Sequence, residues 1–520
     1  MPESTHPPPN LVEMYAGMHP DKPAIIGKKR TITWSMLNER SRALAKKLFS
    51  MGLRPGEQVS IMAYNIPECY EIIEAVNWLG CGRVMVGYRM KAPEIEYVVD
   101  HSDSKLFFFL NDFEKRIMPY RENYKKLLPN GLICMGSTSY ENVPEFDELF
   151  ADTPDVDLNN LPPAEKQNEG MVYTSGTTGR PKGASRNVSG LATESAMKHL
   201  KTIMDLLKYD NNVVHLLCCP IYHSGPAFYA FLSLMLGGTL VLQEKFDPEE
   251  FLELVSKHGV TVSHVVPTMV SSILDVSEDF TKDLDFSSLR SILLGAAPTQ
   301  PKHKTGFIKR FGPVLYEYYG STETGVNTFI TPEEILKNPT SVGKAFPDNE
   351  IILLDPEGKE VPDGEPGELY VYSPIMIDHY FKDEEGTKEV HKGKYMTAGD
   401  IAIRDKKGYY YIVDRIKDMI IRGGVNIYPA EIEAEINNIP GIKEVAVVGK
   451  QDSRLGETVS CFVVREKGSD VTEDTIKEYC ADKMANQKIP VLYVFLDELP
   501  RNPTGKVLKR ELRESLKDSG

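Results

Sequence analysis

Positive charge is scarce in this chain: Lys and Arg number 60 against 75 Asp and Glu, a formal net charge of -15 over 520 residues. A nucleic-acid backbone or an anionic membrane surface is therefore excluded as the main partner, because either would need a concentrated basic face. Local basic spots remain, as around Lys506, Lys509 and Arg510. Cysteine is also sparse. The seven cysteines are odd in number, form no CxxC pair and sit in apolar contexts such as Leu216 to Cys219, which excludes a disulfide framework and suits a reducing compartment. The opening MPESTHPPPN has neither a basic nor an apolar leader segment. The longest nearly apolar run, Phe228 to Leu242, is interrupted by Gly237 and Gly238 and falls short of the roughly 20 residues of a spanning helix. We expect a soluble, cytoplasmic protein without a membrane span, and find no repeat or low-complexity tract.

What is present is ordinary globular material, 41% hydrophobic and 26% charged, long enough for several domains. From Thr31 onward, amphipathic and strand-like segments alternate: a helix over Ser35 to Met51, a strand over Gln58 to Ala63, a helix through Tyr70 to Leu79, and strands at Arg83 to Val86 and Lys105 to Leu110. The clearest unit is Thr239 to Pro267. There Asp247 can N-cap a helix with Pro248 in its first turn and Glu250 placed for a capping box, and Gly259 ends it before a β-branched run. Such a βαβ unit implies parallel strands under helices. After about Asn349 the texture becomes β-rich, and beyond Asp414 the pattern suits a small α+β domain with a helix over Pro429 to Ile439. The expected fold is α/β: a large N-terminal α/β domain with parallel sheets and a β-rich subdomain (residues 1–416), plus a small mobile C-terminal α+β domain (417–520).

The chemistry is densest at Tyr173 to Ala184, YTSGTTGRPKGA. Gly176, Gly179 and Gly183 let backbone N–H groups surround an anion, Thr174, Ser175, Thr177 and Thr178 add hydroxyl donors, and Arg180 and Lys182 add positive charge. The stretch reads as a polyphosphate cradle preceding a helix near Leu191 to Leu207. It is not a Walker A loop, since Lys182 precedes Gly183 and Pro181 stands where the second glycine should be.

Four further strings follow in order: YYGSTETG at Tyr318 to Gly325, TAGD at Thr397 to Asp400, DRIKD at Asp414 to Asp418, and NPTGK at Asn502 to Lys506. With the loop, this set resembles the acyl-adenylate-forming superfamily over nearly the whole chain, on its acyl-CoA synthetase branch. The resemblance implies activation of a carboxylic acid by ATP to an acyl adenylate and pyrophosphate, then transfer of the acyl group to coenzyme A, with Mg²⁺ as the metal. It implies that Thr174, Ser175, Gly176, Thr177, Thr178, Gly179 and Lys182 hold the β- and γ-phosphates, Thr322 the α-phosphate, and Glu323 with Thr178 the Mg²⁺. Tyr319 and Gly320 would lie on adenine, with Gly295, Ala296, Ala297 and Pro298 as the opposite wall, and Asp400 and Arg415 would take the ribose. Lys506 matches the catalytic lysine, Lys417 the hinge, and Gly423 with Gly424 the path of pantetheine.

The acyl group is expected in the apolar segment that His223 opens, with Pro226 and Phe228 lining it and Tyr229, Phe231 and Leu232 following. No Asp lies from Pro220 to Phe231 to pair an amino-acid ammonium, so a fatty or other hydrophobic carboxylic acid is expected. Alternatives are an acyl-AMP ligase that loads a carrier protein, a luciferase-like oxygenase, and a nucleotide-binding regulator without catalysis. Two departures from the family pattern stand out: Ala398 interrupts Thr-Gly-Asp, and Asp378-His379 replaces a glycine before Tyr380.

Overall fold

A computed structural model describes residues 10–164, 169–174, 181–187, 193–423, 425–452, 454–501 and 507–516. The chain divides into two compact units, the first Met1–Val326, Thr331–Pro339 and Ser373–Glu389, the second Asn327–Ile330, Thr340–Tyr372 and Val390–Gly520. Among the described residues no helix is long and apolar enough to cross a membrane.

The first unit contains two twisted, mainly parallel sheets. In one, neighbouring strands run Thr31–Thr33, Pro23–Ile26, Thr239–Leu242, Val214–Leu217, Val262–Val265, Ser291–Leu294 and Leu315–Ser321. In the other they run His379–Tyr380, Lys182–Asn187, Glu169–Thr174, Gly82–Met85, Gln58–Met62, Ser104–Leu110 and Leu132–Met135. Gln58–Met62 and Val262–Val265 are buried along their whole length, as central parallel strands with covered faces must be. Helix Trp34–Ser50 supplies Trp34, Leu37, Leu44 and Leu48 to the largest apolar cluster, at the i, i+3, i+4 spacing its sequence carries.

The unit at Thr239–Val265 forms as its sequence dictates, with two differences. Asp247 Oδ1 accepts the Glu250 amide at 2.9 Å, Pro248 opens the helix Pro248–His258, and Gly259 closes it at φ 59°. The Glu250 carboxylate, however, accepts from Gln243 Nε2 at 2.9 Å instead of closing a capping box. The strands on either side of the helix are not adjacent either, because Val214–Leu217 lies between them and pairs in parallel with both. A helix over Pro267–Asp275 follows directly, starting where the unit read from sequence ends.

The strand Leu315–Ser321, which carries Tyr318 to Ser321 of the YYGSTETG string, is anchored by a buried ion pair. Lys304 Nζ lies 2.5 Å from Glu317 Oε2, and their side chains are only 2% and 5% exposed. Burial pushes the Glu317 carboxyl up, and the Lys304 charge opposes that shift.

In the second unit, Glu350–Leu354, Pro366–Tyr372, Tyr395–Arg404 and Tyr410–Arg415 form an antiparallel sheet, as the β-rich texture implied. Its strand Pro366–Tyr372 alternates buried and half-exposed residues, the pattern of a sheet with one covered face. Ile442–Asp452 and Gly456–Arg465 pair antiparallel, with Leu492–Leu496 added in parallel. Val445 and Val447 face a core with Ile432, Ile436 and Ile476, while Ala446 and Val448 face another with Leu512 and Leu516. Both faces are thus covered.

Replacing Lys304 with Ala strands a buried carboxylate and is expected to cost about 3–5 kcal/mol, whereas Met at 304 with Leu at 317 restores most of it. Urea denaturation of the two variants measures both.

Candidate active site

Thr174 and Lys182 are cross-strand partners in an antiparallel hairpin, so the glycine-rich string joins two strands. The helix expected directly after it, Glu194–Leu206, comes only after the second of these strands. Ser175, Gly176, Thr177, Thr178 and Gly179 lie outside the described residues. The hairpin is pinned beside its loop: the Tyr173 hydroxyl and His101 Nδ1 are 2.8 Å apart. Lys182 Nζ pairs with Asp383 at 2.8 Å and lies 4.9 Å from the Tyr380 ring centroid. The ammonium holds the Asp383 carboxyl below its ordinary range. Gly386 permits this approach, because a Cβ there would stand 2.2 Å from Lys182 Nζ.

Tyr319 and Gly320 end the strand Leu315–Ser321, half-buried, and Thr322 and Glu323 form the turn into Gly325–Ile330. Glycine is required at 320, where a Cβ would meet the Gly325 carbonyl at 2.0 Å. The Thr322 and Ser224 hydroxyls are 2.9 Å apart, and the Thr322 carbonyl accepts from Arg186 Nη2 at 3.4 Å. Glu323 Oε1 accepts from the Tyr380 hydroxyl at 2.9 Å, and its carbonyl from the Ile377 amide at 2.8 Å. A second carboxylate oxygen is left to Glu323, and one carboxylate shared with substrate phosphates is a usual donor set for Mg²⁺. Among the described residues no three His, Cys, Asp or Glu side chains gather as a protein-only metal site.

The string Gly295 to Pro298 follows the buried strand Ser291–Leu294. A Cβ at 295 would fall 2.5 Å from the Tyr318 ring, so the glycine sets that approach. Ala296 adopts φ 77°, a conformation that costs a non-glycine residue about 1–3 kcal/mol. Ala297 is half-buried and Pro298 exposed. Neither departure brings a positive φ to a non-glycine residue. His379–Tyr380 is a short strand paired with Ser185 and Ala184, and neither Asp378 nor His379 has a positive φ. Beside Ala398, the positive φ of 76° belongs to Gly399.

His223 precedes the helix Ser224–Met235 at its N-cap, half-buried, its ring 4.2 Å from that of Tyr222. Burial, with the Arg89 charge adding to it, lowers its imidazole to about 4 from 6.5. The ring is therefore neutral near pH 7, and its buried Nε2 has no partner among the described residues. Along the helix, Pro226, Tyr229 and Ser233 are buried, while Phe228 is half-buried and Phe231, counted with the apolar lining from sequence, is 38% exposed. Phe228 lies one turn from Ser224, on the side that carries the hydrogen bond to Thr322. Deeper in this unit His264 Nε2 meets the Tyr318 hydroxyl at 3.0 Å, and His215 Nδ1 meets Ser233 Oγ at 2.9 Å. Burial lowers these rings to about 3 and about 4.

In the second unit Asp400 and Arg415 are cross-strand partners, joined by Arg415 Nε to Asp400 Oδ1 at 2.8 Å. Asp414 accepts the amides of Arg415 (2.7 Å) and Ala430 (2.9 Å), capping the helix Pro429–Ile436. Lys417 is exposed, and its carbonyl accepts from Arg513 Nη2 at 3.1 Å. Gly423 turns the hairpin Ile420–Arg422/Val425–Ile427 at φ 58°. Gly424 and Lys506 lie outside the described residues.

Sequence reasoning overlooked Arg186, Ser224, Tyr380 as a Glu323 partner, and Asp383. Only Arg186 left a signal, a cation four residues beyond Lys182 on a strand of small residues.

The chain matches the AMP-binding enzyme family over residues 12–381 and the AMP-binding enzyme C-terminal domain over residues 431–506. It is 31% identical to a feruloyl-CoA synthase from an Amycolatopsis species, covering 96% of each protein. With the fatty acid–[acyl-carrier-protein] ligase ScoC of Streptomyces coeruleorubidus identity is 30%, covering 96% of this chain and 94% of that one. The fold matches o-succinylbenzoate coenzyme A synthetase (MenE) of Bacillus subtilis in complex with ATP and magnesium ion, with a TM-score of 0.83, 26% identity and coverage of 98% and 100%. This chain belongs to the AMP-binding enzyme family, on its adenylate-forming CoA ligase branch.

The lowered histidines set a pH dependence. A folded value below the ordinary 6.5 means the folded state binds fewer protons, so this contribution is complete above about pH 6.5 and is lost as pH falls toward about 4. The urea midpoint is expected to fall between about pH 7 and pH 5, and the His223 C2–H resonance to stay untitrated from about pH 8 to pH 5.5.

Proposed function

We propose that this chain is an AMP-forming ligase that joins a fatty or other hydrophobic carboxylic acid to coenzyme A. The observation that carries the reading is the 2.9 Å contact between Thr322 and Ser224, which joins the phosphate-directed turn to the first turn of the apolar helix within one unit. In the first half-reaction an acid oxygen attacks the α-phosphorus of ATP and the bond to pyrophosphate breaks. In the second the CoA sulfur attacks the acyl carbon, the bond to AMP breaks, and the thiol proton is released. Attack of one anion on another needs fixed charge and hydrogen-bond donors where negative charge accumulates. Thr174, Lys182 and the loop between them grip the departing pyrophosphate, and Thr322 orients the α-phosphate. Mg²⁺, when bound by Glu323, offsets charge on the phosphoryl oxygens. The neutral ring of His223 sits where an acid carboxylate would pass, without a charge to trap it.

Asp400 and Arg415 take the ribose in this reading, and Lys506 stabilises the attacking carboxylate and the phosphate. We place the functional boundary at residues 416 and 417, with Lys417 as a pivot that withdraws Lys506 before thiol transfer along Gly423 and Gly424. The two family matches, which end at 381 and begin at 431, leave that segment between them. A carrier-protein thiol as acceptor is the second reading, favoured by the similarity to ScoC.

An acid panel scored for CoA-dependent AMP formation tests the substrate class. Octanoate is expected to exceed acetate by more than about tenfold in kcat/KM, since each buried CH₂ contributes about 0.8 kcal/mol. Equal turnover of the two would sink the hydrophobic-acid reading, and acyl transfer to a phosphopantetheinyl carrier but not to CoA would favour the second. Lys417→Pro is expected to leave acid-dependent pyrophosphate release intact and to abolish thioester formation, measured separately on one preparation. Normal full turnover in that variant would remove the pivot.

A further inference from the structure

Arg186 is the penultimate residue of the strand Lys182–Asn187 and has no part in the reading above. Lys182 and Arg186 are four residues apart on this strand, so both side chains emerge on one face, about 13 Å apart along it. Arg186 Nη2 donates to the Thr322 carbonyl at 3.4 Å, at the long limit of a hydrogen bond, and its buried Nε has no partner among the described residues. A guanidinium carries five donors in a planar fork, and on this half-buried one the buried Nε, left without a partner, calls for an explanation. Burial lowers its pKa to about 10, opposed by the nearby charges of Asp378 and Glu323, so it stays cationic at neutral pH. Those two carboxylates account for the need for a cation. They do not account for the unpartnered Nε, because neither makes a hydrogen bond to it among the described contacts.

We propose that Arg186 is a phosphate-directed cation, which works beside Thr322 on the α-phosphate of ATP, of the acyl adenylate and of AMP. The inference rests on the nucleotide site proposed above. Arg186 and Thr322 belong to the same unit and are joined directly through the Thr322 carbonyl.

Titration calorimetry of AMP and of adenosine against the full chain and its Arg186→Met variant tests this. The two ligands differ only in the phosphate. The variant is expected to bind AMP about tenfold or more weakly and adenosine within about twofold of the unmodified chain, the loss of a charge-assisted hydrogen bond. Equal weakening of both, the signature of a purely structural role, overturns the proposal, as does unchanged AMP binding. Should Arg186→Met not fold, Arg186→Lys carries the same comparison, with the AMP loss again expected to exceed that of adenosine. An unmodified chain that binds neither ligand would instead remove the nucleotide site, and this proposal with it.

Discussion

Two side chains from one short segment hold the site of the first unit together. Tyr380 donates its hydroxyl to Glu323, and Asp383 pairs with Lys182. The segment is itself stitched to the glycine-rich hairpin, through the Asp378 amide to the Ser185 carbonyl and the Phe381 amide to the Gly183 carbonyl. The residues that would meet the metal and the outer phosphates are thus fixed by a third piece of chain, about 200 positions beyond the hairpin. Asp383 places a carboxylate on Lys182, where a phosphate would otherwise satisfy the ammonium. In the proposed function, incoming ATP would have to offer that lysine at least as good a partner, which a multiply charged polyphosphate does.

Electrostatics gives the same site its second constraint. Glu323, Asp378 and Asp383 bring negative charge to the place where we propose a polyphosphate binds, and Lys182 and Arg186 answer it from one face of one strand. On the acyl side the choice is reversed. His223, His215 and His264 are all pushed below neutrality by burial, so the apolar helix meets neutral imidazoles. In the proposed site, a charged phosphate end and an uncharged acyl end meet at the Thr322 to Ser224 contact.

Much of the fold could be read from periodicity. Asp247, Pro248 and Gly259 bound their helix as capping chemistry requires, and Ile432 and Ile436 pack where their spacing puts them. Strand order could not be read, because the insertion of Val214–Leu217 between the strands of the Thr239–Val265 unit is decided by long-range pairing. The site divides in the same way. Tyr319 to Glu323 and the hairpin are contiguous strings whose residue types declare their chemistry. Asp383 and Tyr380 are ordinary residues made important by what they touch, and no local pattern marks them. Glu250 failed as a capping-box residue for a similar reason, since Gln243 offered its carboxylate a better partner.

An acid-activating nucleotide site in the first unit, as we propose, would support isotope exchange between pyrophosphate and ATP in the absence of CoA. The exchange is expected to depend on a hydrophobic carboxylic acid and on Mg²⁺ and to need no thiol. Absence of exchange with every acid, or acid-independent release of ADP, would contradict it.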